Sequence, residues 1–212
     1  LILLDEAKKV YVQSAVPDLC PIAALKARIY LKQGYPNKAR TWAAERGLSL
    51  SDEVSYMHEF EHLTLARLEI ANPLVNALLA QLLQAAEAQK RRGSELDILL
   101  AQALAHQAQG NLPLALASLK RALALAEPEG YVRLFVDEGE PMRLCLLDLR
   151  ARMEKQSSAQ GHPLLGYVEK LLSAFERAVE KQPTTHPKKP EMIEPLSERE
   201  LEVLRLLRSD LS

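Results

Sequence analysis

The stretch "ALAHQAQGNLPLALASLKRALALAEP", Ala103 to Pro128, decides the fold of this chain. Apolar residues recur three and four positions apart on both sides of Gly110, which is the helical period interrupted by one turn. Ala115 follows Gly110 after five residues, and a small residue just inside a helix allows two helices to pack closely. The stretch therefore predicts a hairpin of two helices, with Pro128 beyond the end of the second.

The same arrangement recurs along the chain at a constant interval. Three residues that favour turns are each 38 residues apart, and an alanine follows each of them after five residues: Gly34 and Ala39, Asn72 and Ala77, Gly110 and Ala115. Such a period is the signature of an α-solenoid built from stacked helical hairpins. The middle unit keeps only Ala77 of the recurring residues, which leaves room for a slip of one residue in its register.

The third unit resembles a tetratricopeptide-type repeat. Ala115, Leu119 and Ala122 occupy the small, large and small positions of its second helix, and Ala103 supplies the small residue of the first. The interval of 38 residues is longer than the usual repeat, which has about 34. We therefore predict an all-α fold, a tetratricopeptide-like helical-hairpin solenoid (superhelix), for residues 1–181.

The segments after the third unit lack this period. "YVRLFVD", Tyr131 to Asp137, is the one stretch that alternates like a strand, but its helical surroundings favour a short helix. Helices from Pro141 to about Glu154 and from Leu164 to Glu180 are expected to cap the solenoid, because an open end would expose apolar surface. Residues 182–195, "QPTTHPKKPEMIEP", contain four prolines and predict an extended linker.

Composition excludes several classes of protein. The chain has 27 Lys and Arg against 28 Asp and Glu, so its bulk charge indicates neither a nucleic-acid nor a membrane binder. The two cysteines, Cys20 and Cys145, lie far apart, and no apolar run reaches transmembrane length. These features predict a cytoplasmic protein. The opening "LILLDEAKKV" has no Met and no signal-peptide pattern, and it predicts a fragment of a longer protein.

The last residues, "PLSERELEVLRLLRSDLS", Pro195 to Ser212, predict the start of another helix. Ser197 and Glu200 form a capping box, and leucines three and four residues apart make a broad apolar face. The stretch resembles the opening of the LuxR-type helix-turn-helix domain through Leu196, Ser197, Arg199, Glu200, Glu202, Val203, Leu204 and Leu207. We therefore assign residues 196–212 to the first helix of such a domain. The alternative is a helix that packs back on the solenoid.

Two further stretches resemble the helical sensor region of MalT-like regulators, the large ATP-binding members of the LuxR group. They are "EFEHLTLARLEIA", Glu59 to Ala71, and "LALAEPEGYVRLFVDEGEPM", Leu123 to Met142. The resemblance implies a transcriptional regulator in which a small-molecule or protein effector binds the solenoid. The effector then favours an ATP-bound, self-associated form that binds promoters. It also implies an ATP-binding domain upstream and a DNA-binding domain downstream.

This chain lacks two motifs of the complete regulator. It has no phosphate loop and no recognition helix, so we expect neither an ATP site nor a DNA-binding residue within it. The main alternative to a transcriptional regulator is a tetratricopeptide-like scaffold that mediates protein–protein interactions and has no transcriptional role.

A zinc hydrolase is the third hypothesis, because "HEFEH", His58 to His62, matches the His-Glu-x-x-His pattern of zinc enzymes. A catalytic zinc needs a third protein ligand, and Leu65 and Leu68 occupy the Gly and His places of the extended motif. We therefore expect no metal site, no catalytic residue and no enzymatic activity in this chain.

The first helix of each hairpin lines the concave groove of such a solenoid. Mapping the repeat register along the chain places six polar side chains in the groove as candidates for effector contacts: Arg28, Glu59, His62, Glu69, Asp97 and Gln107. The alternative for each of them is a solvated position on the concave face.

Overall fold

The computed structural model of the protein describes residues 1–10, 18–156 and 164–180. All regular secondary structure in these ranges is helical and none is strand, which confirms the all-α prediction. None of the described helices is both long and apolar enough to cross a membrane. The predicted linker, 182–195, and the predicted terminal helix, 196–212, lie outside the described residues.

Ten α-helices follow one another in the described ranges, and a short 3-10 turn, Tyr56–His58, precedes the fourth. They are α1 (Ile2–Val10), α2 (Ile22–Lys32), α3 (Pro36–Glu45), α4 (Glu59–Leu68), α5 (Val75–Ala88), α6 (Arg92–Ala108), α7 (Leu112–Ala126), α8 (Arg133–Val136), α9 (Glu140–Gln156) and α10 (Leu165–Glu180). The short helix expected within Tyr131 to Asp137 is α8.

Six of these helices form three hairpins, in which α2 packs on α3, α4 on α5, and α6 on α7. The first helices of the hairpins also lie side by side, since α4 contacts both α2 and α6, and α9 continues the row by packing on α6. Stacking of hairpins through neighbouring first helices is the architecture of a tetratricopeptide-like solenoid.

The turns of the first and third hairpins have the same construction. Gly34 and Gly110 adopt φ of 78° and 76°, a left-handed conformation that side chains other than glycine rarely adopt. A three-residue connection results in both hairpins, and a proline follows within the first two positions of the second helix. In the third hairpin the side chain of Asn111 also accepts a hydrogen bond from the backbone N–H of Leu114 at the start of α7.

The middle hairpin has a different turn, and the hairpin as a whole is displaced by one residue in the repeat. Its connection runs over six residues, from Glu69 to Leu74, and the side chain of Asn72 accepts the N–H of Leu74. The fourth residue of α5 is Leu78, and Ala39 and Ala115 are the fourth residues of α3 and α7. All three are buried, and Ala77 is exposed. The intervals between equivalent residues are therefore 39 and 37 rather than 38.

The last helices extend the apolar core beyond the third hairpin. Phe135 of α8 is fully buried and its ring meets that of Tyr167 of α10 edge to face, with centroids 6.2 Å apart. The Tyr167 hydroxyl donates a hydrogen bond to the carbonyl of Tyr131. Met142 and Leu146 of α9 belong to the same buried cluster as the leucines of α6 and α7. This packing agrees with the expected covering of the solenoid end.

The register shift predicts that a larger side chain is tolerated at position 77 but not at position 115. Replacing buried Ala115 by Leu should overpack the contact of α6 with α7 and lower the free energy of unfolding by about 1–3 kcal/mol. Replacing Ala77 by Leu should change it by less than about 0.5 kcal/mol, because this side chain is exposed and both residues favour helices. Urea unfolding of the two variants provides the measurement. An equal decrease in the free energy of unfolding for both variants would contradict the shifted register.

Candidate functional site

The concave side of the solenoid contains a cavity of ≈ 630 Å³. Its walls come from the first helices of the three hairpins, α2, α4 and α6, from Ile70 just beyond the end of α4, and from the segment that joins α8 to α9 together with the first turn of α9. The hairpins and the segment that follows them therefore meet at one site.

Equivalent positions of the three hairpins build the wall of this cavity. Arg28, Arg67 and Leu104 are separated by 39 and 37 residues, the same two intervals that separate the fourth residues of α3, α5 and α7. Leu31, Ile70 and Gln107 form a second set with the same intervals, one helical turn further on. The repeat therefore creates the cavity, because each first helix presents the same face to it.

A buried cluster of charges forms the polar part of the site. The Nη2 atom of Arg67 lies 2.7 Å from Oδ1 of Asp97 on α6 and 2.7 Å from Oε1 of Glu138, next to the start of α9. Only 9% of the Arg67 side chain is exposed. A buried guanidinium is very costly unless it is paired and hydrogen-bonded, so these contacts hold α4, α6 and the α9 segment in one arrangement.

Arg28 joins the cluster from α2. Its Nη1 lies 3.7 Å from Oδ2 of Asp97, its Nε donates to Oγ1 of Thr64 at 3.3 Å, and its guanidinium stacks 4.0 Å from the ring centroid of Phe60. Burial, followed by the like charge of Arg67, lowers the pKa of Arg28 to about 10, so the group stays charged at neutral pH. Burial alone would raise the pKa of Asp97, but the charges of Arg67 and Arg28 hold it below its usual value.

Two donors of this cluster have no partner within the described part of the chain. They are the Nη2 of Arg28 and the Nη1 of Arg67, and both are shielded from solvent. A buried donor that makes no hydrogen bond costs about 1–3 kcal/mol, and such groups are rare in folded proteins. The arrangement is therefore not optimised for stability alone.

The structure brings three of the six predicted groove residues together. Arg28 and Gln107 line the cavity, and Asp97 lies behind Arg28 and Arg67. Asp97 also faces a second, smaller cavity of ≈ 240 Å³ that Glu59 lines as well, and there Glu59 pairs with Arg91. Whether any of these residues contacts an effector stays a prediction.

The other two predicted residues lie elsewhere. Glu69 faces α3, where its Oε1 is 3.8 Å from Nε of Arg40, and His62 is buried with its Nε2 3.6 Å from Asp52. The reason is the interval of 38, since a shift of one residue turns a helical position by about 100° around the axis. With the interval of 39 that the structure has, the equivalent of Leu31 is Ile70, and Ile70 lines the cavity in place of Glu69.

Sequence reasoning missed Arg67 and Glu138. A signal for Arg67 exists, because it is the one basic residue in the apolar stretch from Leu63 to Leu68. Its distance from Arg28, 39 residues, would have identified it once the middle unit was shifted by one position. Glu138 follows the repeats and no period predicts it.

Most of the polar side chains in the "HEFEH" stretch form ion pairs or hydrogen bonds with other residues of the structure. Glu61 is buried and accepts Nε of Arg46 at 2.8 Å and pairs with Nδ1 of His58 at 2.9 Å. His58 and His62 have different carboxylate partners, Glu61 and Asp52. Among the described residues there is no group of three or more His, Cys, Asp or Glu that could hold a metal ion. Glu61 instead connects α4 to Arg46 at the end of α3, and His62 connects α4 to Asp52 in the loop between α3 and α4.

The charge cluster predicts how stability responds to the loss of Arg67. Arg67→Met leaves Asp97 and Glu138 facing each other without the cation between them, so the free energy of unfolding at pH 7 should fall by about 3–5 kcal/mol. Part of the loss should be recovered between pH 7 and pH 5, because protonation of one carboxyl relieves the repulsion. Arg121→Met, which removes an exposed pair with Glu87, should cost less than about 1 kcal/mol.

Urea unfolding as a function of pH makes the measurement. The unsubstituted protein should show no such gain in stability between pH 7 and pH 5, because the pKa of Asp97 lies below its usual value. The lowered pKa of Asp97 contributes stability above the usual aspartate range, and acidification through the folded-state pKa removes this contribution. If the free energy of unfolding changes with pH in the same way for Arg67→Met and for the unsubstituted protein, the charged side chains of the cluster do not interact electrostatically.

Comparison with known proteins agrees with this geometry. Residues 1–152 match the family model of the MalT-like TPR region, a range that includes all three hairpins and the whole cavity wall. Neither the curated proteins nor the solved structures contain a significant match to the chain. Because the family model covers more than half of the 212 residues, the chain belongs to the family of MalT-like TPR regions.

Proposed function

We propose that this chain is the effector-sensing region of a LuxR-type transcriptional regulator and that it couples effector binding to DNA binding by the full-length protein. The cavity on the concave side carries this proposal, because its wall joins the three hairpins to α9 through one buried charge cluster. Membership of the MalT-like TPR family supports the assignment to a regulator of this type.

The size and lining of the cavity suit a small-molecule effector. Binding sites for small molecules have volumes of about 300–1,000 Å³ and apolar walls with a few polar groups that fix orientation. The cavity has ≈ 630 Å³, and its wall combines apolar side chains of the hairpins with the charges of Arg28, Lys32 and Arg67. A protein effector would use the same concave face, since the cavity opens on it.

Coupling requires that the effector bind one conformation more tightly than another. Pro141 and Leu144 of α9 and Glu138 just before it belong to the cavity wall, whereas the rest of the wall belongs to the hairpins. An effector that contacts both parts favours the arrangement in which α9 is packed against α6. Binding energy is thereby passed to the helices that precede the C-terminal segment.

The remaining parts of the proposal rest on the sequence. The Leu-Ser-x-Arg-Glu-x-Glu-Val-Leu run at residues 196–204 supports a LuxR-type DNA-binding domain beyond Ser212. The family supports an ATP-binding domain before Leu1 and a cytoplasmic regulator that self-associates when active. Binding and coupling, not catalysis, are the proposed activities of this region. Sequencing the gene on both sides tests this directly: a phosphate loop upstream and a basic recognition helix downstream are expected.

A cavity-blocking substitution tests the sensing role and does not require the effector to be identified. Leu144 lines the cavity and is 45% exposed, so Leu144→Trp should fill the cavity mouth while the fold stays intact. In cells that produce the full-length protein, we expect the transcripts of this variant to match those of a deletion strain. RNA sequencing makes the comparison, and immunoblotting verifies equal protein levels.

Leu114→Trp is the matched control, because Leu114 is similarly exposed, at 48%, and is not part of the cavity wall. Its transcripts should match those of the unsubstituted protein. If Leu144→Trp also leaves transcription unchanged while the deletion alters it, the cavity is not the sensing site. If the deletion itself alters no transcripts, the chain is an interaction scaffold without a transcriptional role.

A further inference from the structure

We infer that the cavity binds a small amphipathic monocarboxylate, whose apolar body lies against Leu31, Ile70 and Leu104 and whose carboxylate binds Arg28. This inference rests on the proposed function, since it names the ligand class of the same site. Three observations lead to it: the composition of the wall, the balance of charge, and the unpartnered guanidinium donors.

Most of the surface of the cavity wall is apolar, although charged residues also line it. Leu31, Ile70 and Leu104 come from the three hairpins, and Pro141 and Leu144 come from α9 on the opposite side. Among the side chains that line it, Gln107 supplies the one neutral polar group. A ligand that fills this space gains free energy by burying apolar surface, at about 25 cal/mol per Å². An apolar body is therefore required over most of the ligand.

The buried charges of the site together with the exposed Lys32, which also lines the cavity, leave one positive charge in excess. Arg28, Arg67 and Lys32 supply three cations, whereas Asp97 and Glu138 supply two anions. Lys32 forms no ion pair with any of the described residues, so its charge is available to a ligand.

Two further carboxylates at the rim do not change this balance. Asp137 pairs with Arg133 at 3.0 Å, and Glu140 pairs with Arg143 at 2.7 Å. Each of these pairs is neutral by itself. A ligand with a single negative charge therefore neutralises the site, whereas a dianion such as a phosphate monoester would exceed the available charge and meet repulsion from Glu138.

The unpartnered donors indicate where the carboxylate binds. The Nη2 of Arg28 makes no hydrogen bond to a described residue, and its Nη1 lies at the long distance of 3.7 Å from Asp97. Asp97 already pairs with Arg67 at 2.7 Å, so its charge is still neutralised when Arg28 moves away. Arg28 lines the cavity, so a rotation of the guanidinium that keeps its stacking on Phe60 turns this donor toward a ligand there. There it exchanges one long contact for two short, charge-assisted hydrogen bonds to a carboxylate.

The surroundings of Arg28 prepare it for this role. Stacking on Phe60 and the hydrogen bond to Thr64 hold the side chain on the cavity side of α2 and limit its freedom. Burial makes its charge poorly solvated, which is the physical cause of its lowered pKa. A poorly solvated cation gains more from an anionic ligand than an exposed one, since little hydration is lost on binding.

Octanoate and octanamide are matched probes for this inference. They share the same apolar chain and differ in the charge of the head group, so the ratio of their affinities isolates the contribution of the carboxylate. With the whole chain in isothermal titration calorimetry, we expect octanoate to bind at one site and at least about tenfold more tightly than octanamide, as for a charge-assisted contact.

Two variants locate the contact. Arg28→Met should reduce the affinity ratio of octanoate to octanamide to about one, while the control Arg121→Met, which removes an exposed arginine on α7, should preserve it. Leu144→Trp should abolish binding of both probes. This second variant keeps the test decisive if Arg28→Met does not fold.

Three results would overturn the inference: equal affinity of the two probes for the unsubstituted protein, no binding of octanoate, or tighter binding of octyl phosphate than of octanoate. These results are distinguishable from a failure of the proposed function. If Leu144→Trp alters transcription in cells but octanoate does not bind, the site senses a ligand of another class. If octanoate binds as expected and Leu144→Trp leaves transcription unchanged, the site is real but does not regulate transcription.

Discussion

Burial of the Arg67 guanidinium constrains this molecule more than any other single interaction among the described residues. A charge in that position requires partners, and they come from two places, Asp97 on the neighbouring hairpin and Glu138 in the segment before α9. The hairpins and the terminal helices are therefore held together at the concave face by ionic contacts as well as by apolar packing. A cavity lies beside this junction, and whatever binds there acts on the contact between repeats and α9.

The middle hairpin explains why the cavity has its particular lining. The whole hairpin is displaced by one residue in the repeat, so Leu78 takes the position that Ala39 and Ala115 occupy in the other hairpins, and Arg67 and Ile70 lie at the cavity. Without the shift, Ala66 and Glu69 would face the cavity. The displacement arises between hairpins, since 28 residues separate Ala39 from Arg67 and 26 separate Leu78 from Leu104. The polarity of the site thus depends on the connection between α3 and α4, because a displacement of one residue corresponds to a rotation of about 100° around a helix.

Much of the architecture was predictable from local patterns. Turn residues and small residues at close helix contacts predicted the hairpins, since each acts through its immediate neighbours. The candidate site was predictable only in part. Arg28, Asp97 and Gln107 followed from counting along equal repeats, but the same counting selected Glu69 and overlooked Arg67. The polar "HEFEH" stretch also attracted a metal interpretation, whereas its Glu61 pairs with Arg46 at the end of α3.

The order of apolar and turn-forming residues sufficed to predict an all-helical repeat, because helix period and hairpin turns are encoded within a few residues. Which charges are buried, which of them lack partners and which face meets α9 depended on the packed molecule. Those properties depend on contacts between residues that are 30 to 71 positions apart in the sequence, such as the contacts of Arg67 with Asp97 and Glu138. The rotation of each helix, set by the length of the turn beside it, determines whether such residues meet.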